Sequence, residues 1–202
     1  MNLKRNIIAL IALILTNSWA MAQPAKAVLD KVAAVVSNKG GVSASFRISS
    51  NQYGNSTGSI AIKGRKFKTT TPGATVWFDG TTQWTYMSRS NEVNINTPTE
   101  GELQAINPYN FINMYRNGFT YKMKTAGANY QVHLTATNKS RQIQEMYITV
   151  NKSTYIPSQI KMRQGANWST IVISNFKKAN LSDNTFKFNP KAYPKAEIID
   201  LR

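Results

Sequence analysis

Cysteine is absent from this chain of 202 residues, histidine occurs once, and only nine residues are acidic. Without cysteine there can be no disulfide, no thiolate metal site and no lipid-bearing cysteine at a processed N-terminus, so the chain is not expected to be a lipid-anchored protein itself. Catalysis also has little to draw on. His133 alternates with Val132 and Leu134 on the polar side of a strand pattern and has no partner nearby in sequence, which suits a solvated or hydrogen-bonded side chain better than a general base. Asp79 belongs to an Asp-Gly turn, and Glu100 and Glu102 sit where a short helix would start. No metal-ligand spacing, nucleophile motif or glycine-rich phosphate loop is present, so neither cofactor nor enzymatic activity is expected. A hydrolase would require carboxylates that converge only in three dimensions.

Long apolar runs are missing as well. The longest, Ile7 to Leu15, follows Lys4 and Arg5 and precedes Ala20-Met21-Ala22, the pattern of a secretory signal peptide over residues 1–22 with cleavage before Gln23. It falls far short of the roughly 20 residues a membrane-spanning helix needs. Residues 23–202 then form one exported domain, and an exported domain without cysteine fits the periplasm.

Charge of one sign dominates. Lys and Arg number 25, for a net charge of +16, or +14 once Lys4 and Arg5 leave with the signal peptide. The basic residues are scattered singly through strand-like segments, with short clusters at Lys63-Gly64-Arg65-Lys66 and Lys177-Lys178. Compartment and scatter both argue against nucleic acid, and anionic envelope surfaces or acidic partners remain as matches for the surplus.

One amphipathic helix, Pro24 to Lys39, leads the domain, with Ala25, Val28, Leu29, Val32, Val35 and Val36 on one stripe and Gly40-Gly41 as its stop. From Val42 the period is two: Val42, Ala44, Phe46 and Ile48 alternate with Ser43, Ser45, Arg47 and Ser49. Further strands are predicted around Ile60 and Ile62, over Arg65–Thr71, Ala74–Phe78, Gln83–Met87, Glu92–Asn96, Phe119–Thr125, Tyr130–Thr137, Gln142–Val150, Ser158–Arg163 and Ser169–Phe176. A short helix over residues 107–116 interrupts them. The fold class is mainly β with helices: a strongly curved, unclosed antiparallel half-barrel of about ten to eleven strands, because strand twist accumulates in so large a sheet. Its concave apolar face must be filled, either by the helices as core or by something they cover.

The densest aromatic segment is the hairpin Val76-Trp77-Phe78-Asp79-Gly80-Thr81-Thr82-Gln83-Trp84-Thr85-Tyr86. Asp-Gly favours a reversal, since Gly80 takes φ > 0 at little cost and Asp79 can hydrogen-bond its own backbone. Alternation puts Trp84 and Tyr86 on one face of their strand, and Val76 and Phe78 on one face of theirs.

The order of these signals resembles the LolA-like outer-membrane lipoprotein carriers. Leu29-Asp30-Lys31-Val32 followed by Ala44-Ser45-Phe46 is similar to the family's opening. Gly58-Ser59-Ile60-Ala61-Ile62-Lys63 is similar to its "G-x-L-x-V-K" strand, and Asp79-Gly80 with Trp84 and Tyr86 to its "D-G-x-x-x-W-x-Y" element. Phe186-Lys187-Phe188-Asn189-Pro190 and Asp200 resemble a terminal "F-x-F-x-P … D". The resemblance implies a half-barrel under a helical lid, with an apolar cavity that shields the acyl chains of lipoproteins crossing the periplasm. A 16-carbon chain left in water costs on the order of 12 kcal/mol. It implies as partners acylated lipoproteins, an inner-membrane releasing transporter and an outer-membrane receptor, with no nucleic acid and a monomeric carrier.

Carried onto this sequence, the expected cavity wall is Phe46, Ile48, Ile60, Ile62, Val76, Phe78, Trp84, Tyr86, Ile160, Met162, Ile171 and Ile173, with Phe111, Ile112 and Tyr115 on the lid. The family's arginine latch follows "V-K" directly, whereas here it is displaced by one residue to Arg65, where a bulge at Gly64 would be needed to restore its face. Two other readings of the same fold are an envelope-associated basic interaction or sensor module, and a carrier of another amphiphilic lipid.

Overall fold

The computed structural model describes residues 22–52, 54–99, 102–103 and 114–202. Residues 1–21 of the expected signal peptide, the lid positions Phe111 and Ile112, and most of the short helix expected over 107–116 lie outside the described residues, while Ala22, the last residue of that expected peptide, already belongs to the first helix. Helix α1, Ala22–Val36, comes first. Its stripe of Ala25, Val28, Leu29, Val32, Ala33 and Val36 is buried, while Lys26 and Asp30 pair across one turn beside that stripe at 3.0 Å. The helix ends before the Gly-Gly pair. Gly41 has φ +94°, and a Cβ there would stand 2.8 Å from both the Ile62 carbonyl oxygen and Leu181 Cδ1, so only glycine fits between them.

Twelve strands follow among the described residues: β1 Val42–Ser50, β2 Gly54–Lys63, β3 Lys66–Thr70, β4 Ala74–Phe78, β5 Gln83–Met87, β6 Glu92–Asn96, β7 Phe119–Ala126, β8 Asn129–Ala136, β9 Glu145–Asn151, β10 Pro157–Gln164, β11 Asn167–Lys178 and β12 Glu197–Asp200. They form one sheet in the order β12-β6-β5-β4-β3-β2-β1-β11-β10-β9-β8-β7. Two meanders, β1–β6 and β7–β11, are therefore joined along a central seam where β1 pairs with β11, residues 42–50 against 169–178. Pairing is antiparallel throughout except for β12, which runs parallel to β6. The sheet is an open, curved half-barrel with α1 on its inner face, as the alternation predicts.

Register fixes that inner face. Val42 stands beside Ile62, Ile62 beside Phe67, and Phe67 beside Phe78. On the other half, Ile48 faces Ile171, then Ile160, Ile148 and Val132 follow in line. With the α1 stripe these rows, Ile48 excepted, make the main core and the residues packed against it. Each fully buried aliphatic or aromatic side chain there contributes about 1.5–3 kcal/mol.

The opposite, outer face is covered at one end. After β11 the chain turns through Asp183–Phe186 and Pro190–Ala192 and lies over β3–β6. Asp183 holds Lys63 at 3.2 Å and Lys66 at 2.8 Å. The rings of Phe188 and Tyr193 meet Trp77 edge-on at 5.6 and 5.7 Å, and Tyr193 packs on Tyr86 at 4.5 Å. Trp77, Val93 and Phe186 are buried here, apart from the main core. The segment ends as β12, a strand the sequence reading omits, since four residues are too few to display a period.

Candidate functional site

The inner face between the helix-covered end and the Phe67–Phe78 pair is the candidate site. Of the expected wall residues, Phe46, Ile48, Ile60, Ile62, Val76, Phe78, Ile160, Met162, Ile171 and Ile173 share this face by register. Trp84 and Tyr86 do not, which corrects their assignment to the wall. Trp84 pairs with Trp77 and Tyr86 with Thr75, so both point to the outer face, where Tyr86 lies under the C-terminal segment. The reason is parity. Within β4, Val76 and Phe78 face inward, and across the hairpin their register partners are Thr85 and Gln83, leaving the intervening aromatics for the other side.

Burial divides the inner face. Under α1, which packs against β7, the side chains of Val132, Leu134, Met146, Ile148 and Val150 are buried; the period-2 pattern of β8 and β9 signals them, although they are not among the expected wall residues. Along the seam and its flanks Phe46, Ile48, Ile60, Val76, Ile160, Ile171 and Ile173 are only half-buried. Phe46, Ile48 and Ile173 stand outside the main core and its packed periphery. Phe46 rests on Gly58, its register partner on β2: a Cβ at Gly58 would come within 2.5 Å of Phe46 Cζ and 2.3 Å of the Thr70 carbonyl oxygen. The glycine of the G-x-I-x-I-K segment is thus the floor under an aromatic ring.

Beyond Phe78 the inner face becomes polar, with Gln83 opposite Asn96 and Thr85 opposite Asn94. Gln83 Nε2 donates to Thr85 Oγ1 at 3.2 Å, while Gln83 Oε1 is buried without a hydrogen-bond partner among the described residues. The face therefore runs from apolar at the seam to amide-bearing at β5 and β6.

At the expected lid, Thr99 and Glu102 form a capping box: Glu102 Oε2 accepts from the Thr99 backbone N–H and hydroxyl, each at 2.8 Å, and the Glu102 N–H donates to Thr99 Oγ1 at 3.3 Å. Glu102 thus serves as a helix start, as its position predicts. At the far end Tyr115 is buried. Its hydroxyl donates to Asp30 Oδ1 of α1 at 2.5 Å, and its carbonyl oxygen accepts from the Tyr121 hydroxyl of β7. The hydrogen bonds from Tyr115 and then Lys26 hold the Asp30 carboxyl below its usual range. Arg65 does not continue a strand. It follows Gly64, with φ +59°, in a two-residue turn between Lys63 and Lys66, so no bulge restores an inward direction.

Among the described residues, the groups singled out as possible catalysts are engaged in local bonds. No cluster of three metal-ligating side chains is present. Asp79 Oδ1 accepts from the N–H groups of Thr81 and Thr82 at 3.0 and 2.9 Å and is occupied by its turn. His133 lies on the outer face, stacked on Tyr147 and bonded to Glu145 Oε1 at 2.8 Å. Burial raises the Glu145 pKa, but hydrogen bonds from Tyr147, Arg163 and His133 outweigh it, and the net direction is down.

Among solved structures, an uncharacterized conserved protein from Thermus thermophilus aligns with a TM-score of 0.61 at 14% identity, covering 88% of this chain and 99% of its own. A LolA superfamily protein, NE2245, from Nitrosomonas europaea aligns at 0.43 and 12% identity, covering 83% and 98%. LprF from Mycobacterium bovis aligns at 0.46 and 7% identity, covering 81% and 98%. No curated protein matches. At such identities the Thermus structure speaks for the fold alone, but the profile of the family described as "Outer membrane lipoprotein carrier protein LolA" matches residues 16–166. The chain belongs to that family of outer membrane lipoprotein carrier proteins.

Proposed function

We propose that this protein is a periplasmic carrier, exported by a cleavable signal peptide over residues 1–22, that shelters the acyl chains of lipoproteins on the inner face of its half-barrel. The observation that supports this most is the half-buried apolar strip of Phe46, Ile48, Ile60, Val76, Ile160, Ile171 and Ile173. A strip of that composition left half-covered beside a close-packed core has unused capacity to bury hydrocarbon, worth about 0.8 kcal/mol per CH₂. The polar end at Gln83, Thr85, Asn94 and Asn96 would meet the headgroup side of an acylated cargo, where the unpartnered Gln83 oxygen gains a donor. No step in this activity needs a catalytic group. By family resemblance the partners are an inner-membrane transporter that releases lipoproteins and an outer-membrane receptor that accepts them.

The test is to incubate the exported form with membranes bearing a triacylated lipoprotein and look for a soluble complex. We expect extraction, and displacement of an apolar fluorescent probe by the same cargo. Failure to extract under conditions where an established carrier succeeds would overturn the lipoprotein reading. Probe displacement by free lipid or glycolipid without extraction would point to another amphiphile on the same surface.

A further inference from the structure

Basic residues scattered along the sequence share one face of the sheet. Strand alternation sends to the outer face Arg47 of β1, Lys68 of β3, Lys122 and Lys124 of β7, Lys161 of β10 and Lys177 of β11. None has a carboxylate partner among the described residues. Glu145 is the one carboxylate at an outer strand position across β1–β3 and β7–β11, and it is engaged by Arg163 at 3.0 Å and by His133. The C-terminal segment covers the aromatic end of this face and leaves the basic end open.

Where the two parts meet is a groove of about 450 Å³ whose lining includes Ser43, Ser45, Lys68, Asn175, Lys177 and, from the C-terminal segment, Thr185. A β-bulge shapes it. Register slips between Ser43 and Ser45, so Ala44 faces two residues of β11. Asn175 at that slip adopts φ 52° and donates from Nδ2 to Ser45 Oγ at 3.3 Å. Bulges re-aim side chains, and this one brings Asn175 and Lys177 to the same groove as Lys68. Lys68 is steadied from below, its Nζ 5.5 Å from the Trp77 ring centroid. Hydroxyls and an amide between two ammonium groups, with the bordering Asp183 carboxylate already held by Lys63 and Lys66, suit the oxygens of a phosphate group.

We infer that this groove binds the phosphate of an anionic lipid headgroup, seating the outer face of the half-barrel on a membrane surface. The surroundings favour a lipid surface over an acidic protein. Trp168 lies on the same face with Lys161 Nζ 4.6 Å from its ring and Tyr147 at 6.0 Å, and Val172 is 44% exposed there. Amphipathic aromatics and an open aliphatic side chain among lysines match the headgroup region of a bilayer. The inference needs only the fold, and holds whether or not the inner face carries acyl chains.

Vesicle flotation of the exported form tests it, with phosphatidylglycerol in phosphatidylcholine against phosphatidylcholine alone. Binding is expected only to the anionic vesicles, weakening as salt is added. The double substitution Lys68→Gln/Lys177→Gln should weaken it about thirtyfold, from roughly fivefold per lysine at the surface. Ser45→Asp, which places a carboxylate in the groove and leaves Lys68 over Trp77, should weaken it as well. Competition by inorganic phosphate would support a phosphate site. The inference is overturned by equal loss in Lys139→Gln/Lys152→Gln, which removes the same charge from loops, because net charge alone would then explain binding. It is also overturned if polyglutamate binds as tightly as the anionic vesicles, which would make an acidic protein the partner, or if free phosphate binds and anionic vesicles do not.

Discussion

Single residues in this protein often act through what they permit beside them. Gly58 carries no strained dihedral, yet it cannot be replaced without moving Phe46, whose ring occupies the space of its missing side chain. Gly58→Val is expected to lower stability by about 2 kcal/mol through overpacking and to lift Phe46 from the seam; a shift of the urea midpoint measures the first and a change in apolar-probe affinity the second. A stability within a few tenths of a kcal/mol of the parent would show that both the Phe46 ring and the β3 backbone at Thr70 give way freely. Sequence makes the glycine visible as part of a motif, but its purpose appears only once β1 and β2 are in register. Arg65 shows the opposite limit. Its displacement from the family pattern is legible in the sequence, whereas its place in a turn depends on Gly64 ending β2 after Lys63.

At the scale of elements, two segments resembling family motifs prove to be one packing unit. The hairpin of β4 and β5 supplies Trp77 and Tyr86, and the Phe-Lys-Phe-Asn-Pro stretch supplies Phe188 and leads to Tyr193. Asn189 Oδ1 accepts the Lys191 N–H at 3.1 Å and starts the turn that brings Tyr193 over Tyr86. Phe186→Ala should therefore cost about 3 kcal/mol, as for a fully buried phenylalanine, and Phe188→Ala, at a half-buried site, about 1 kcal/mol. Thermal melts followed by tryptophan fluorescence would check the order, and a Phe188 effect equal to or larger than that of Phe186 would contradict it. Periodicity located β4, β5 and β6 with their observed bounds because each is short, alternating and bracketed by turn residues. It could not say which face of each was inner. β4 carries apolar or aromatic side chains on both faces, and in β5 and β6 the apolar face is the outer one, under the C-terminal segment, so a rule that hydrophobic means inside fails there.

For the molecule as a whole, the charge balance bears on acid stability. The Asp30 and Glu145 carboxyls both lie below their ordinary values in the folded state. A depressed carboxylate stabilises fully above its unfolded pKa, near 4, and that contribution is lost as pH falls through the folded value. The urea midpoint should thus be level from neutral pH to about 5 and decline below about 4. Tyr115→Phe removes the strongest cause of the Asp30 shift, so its curve should begin lower and decline less steeply. An unchanged slope would mean that the bond between α1 and the residues before β7 contributes nothing in solution. The curved sheet, its open edges and the leading helix were all legible from period and composition. The placing of basic residues on one face was not, because it requires knowing how five separate strands align.

The seam between β1 and β11 has a kinetic side. Each meander can zip by local hairpins, but the pair that unites them brings together residues more than a hundred positions apart, the kind of contact whose closure entropy slows folding. Until it forms, the chain exposes two unpaired strand edges bordered by Phe46, Ile48, Ile171 and Ile173, which another copy could pair with as readily as they pair with each other. The strip proposed to take up hydrocarbon in the finished half-barrel is then the part of the nascent protein most exposed to misassembly.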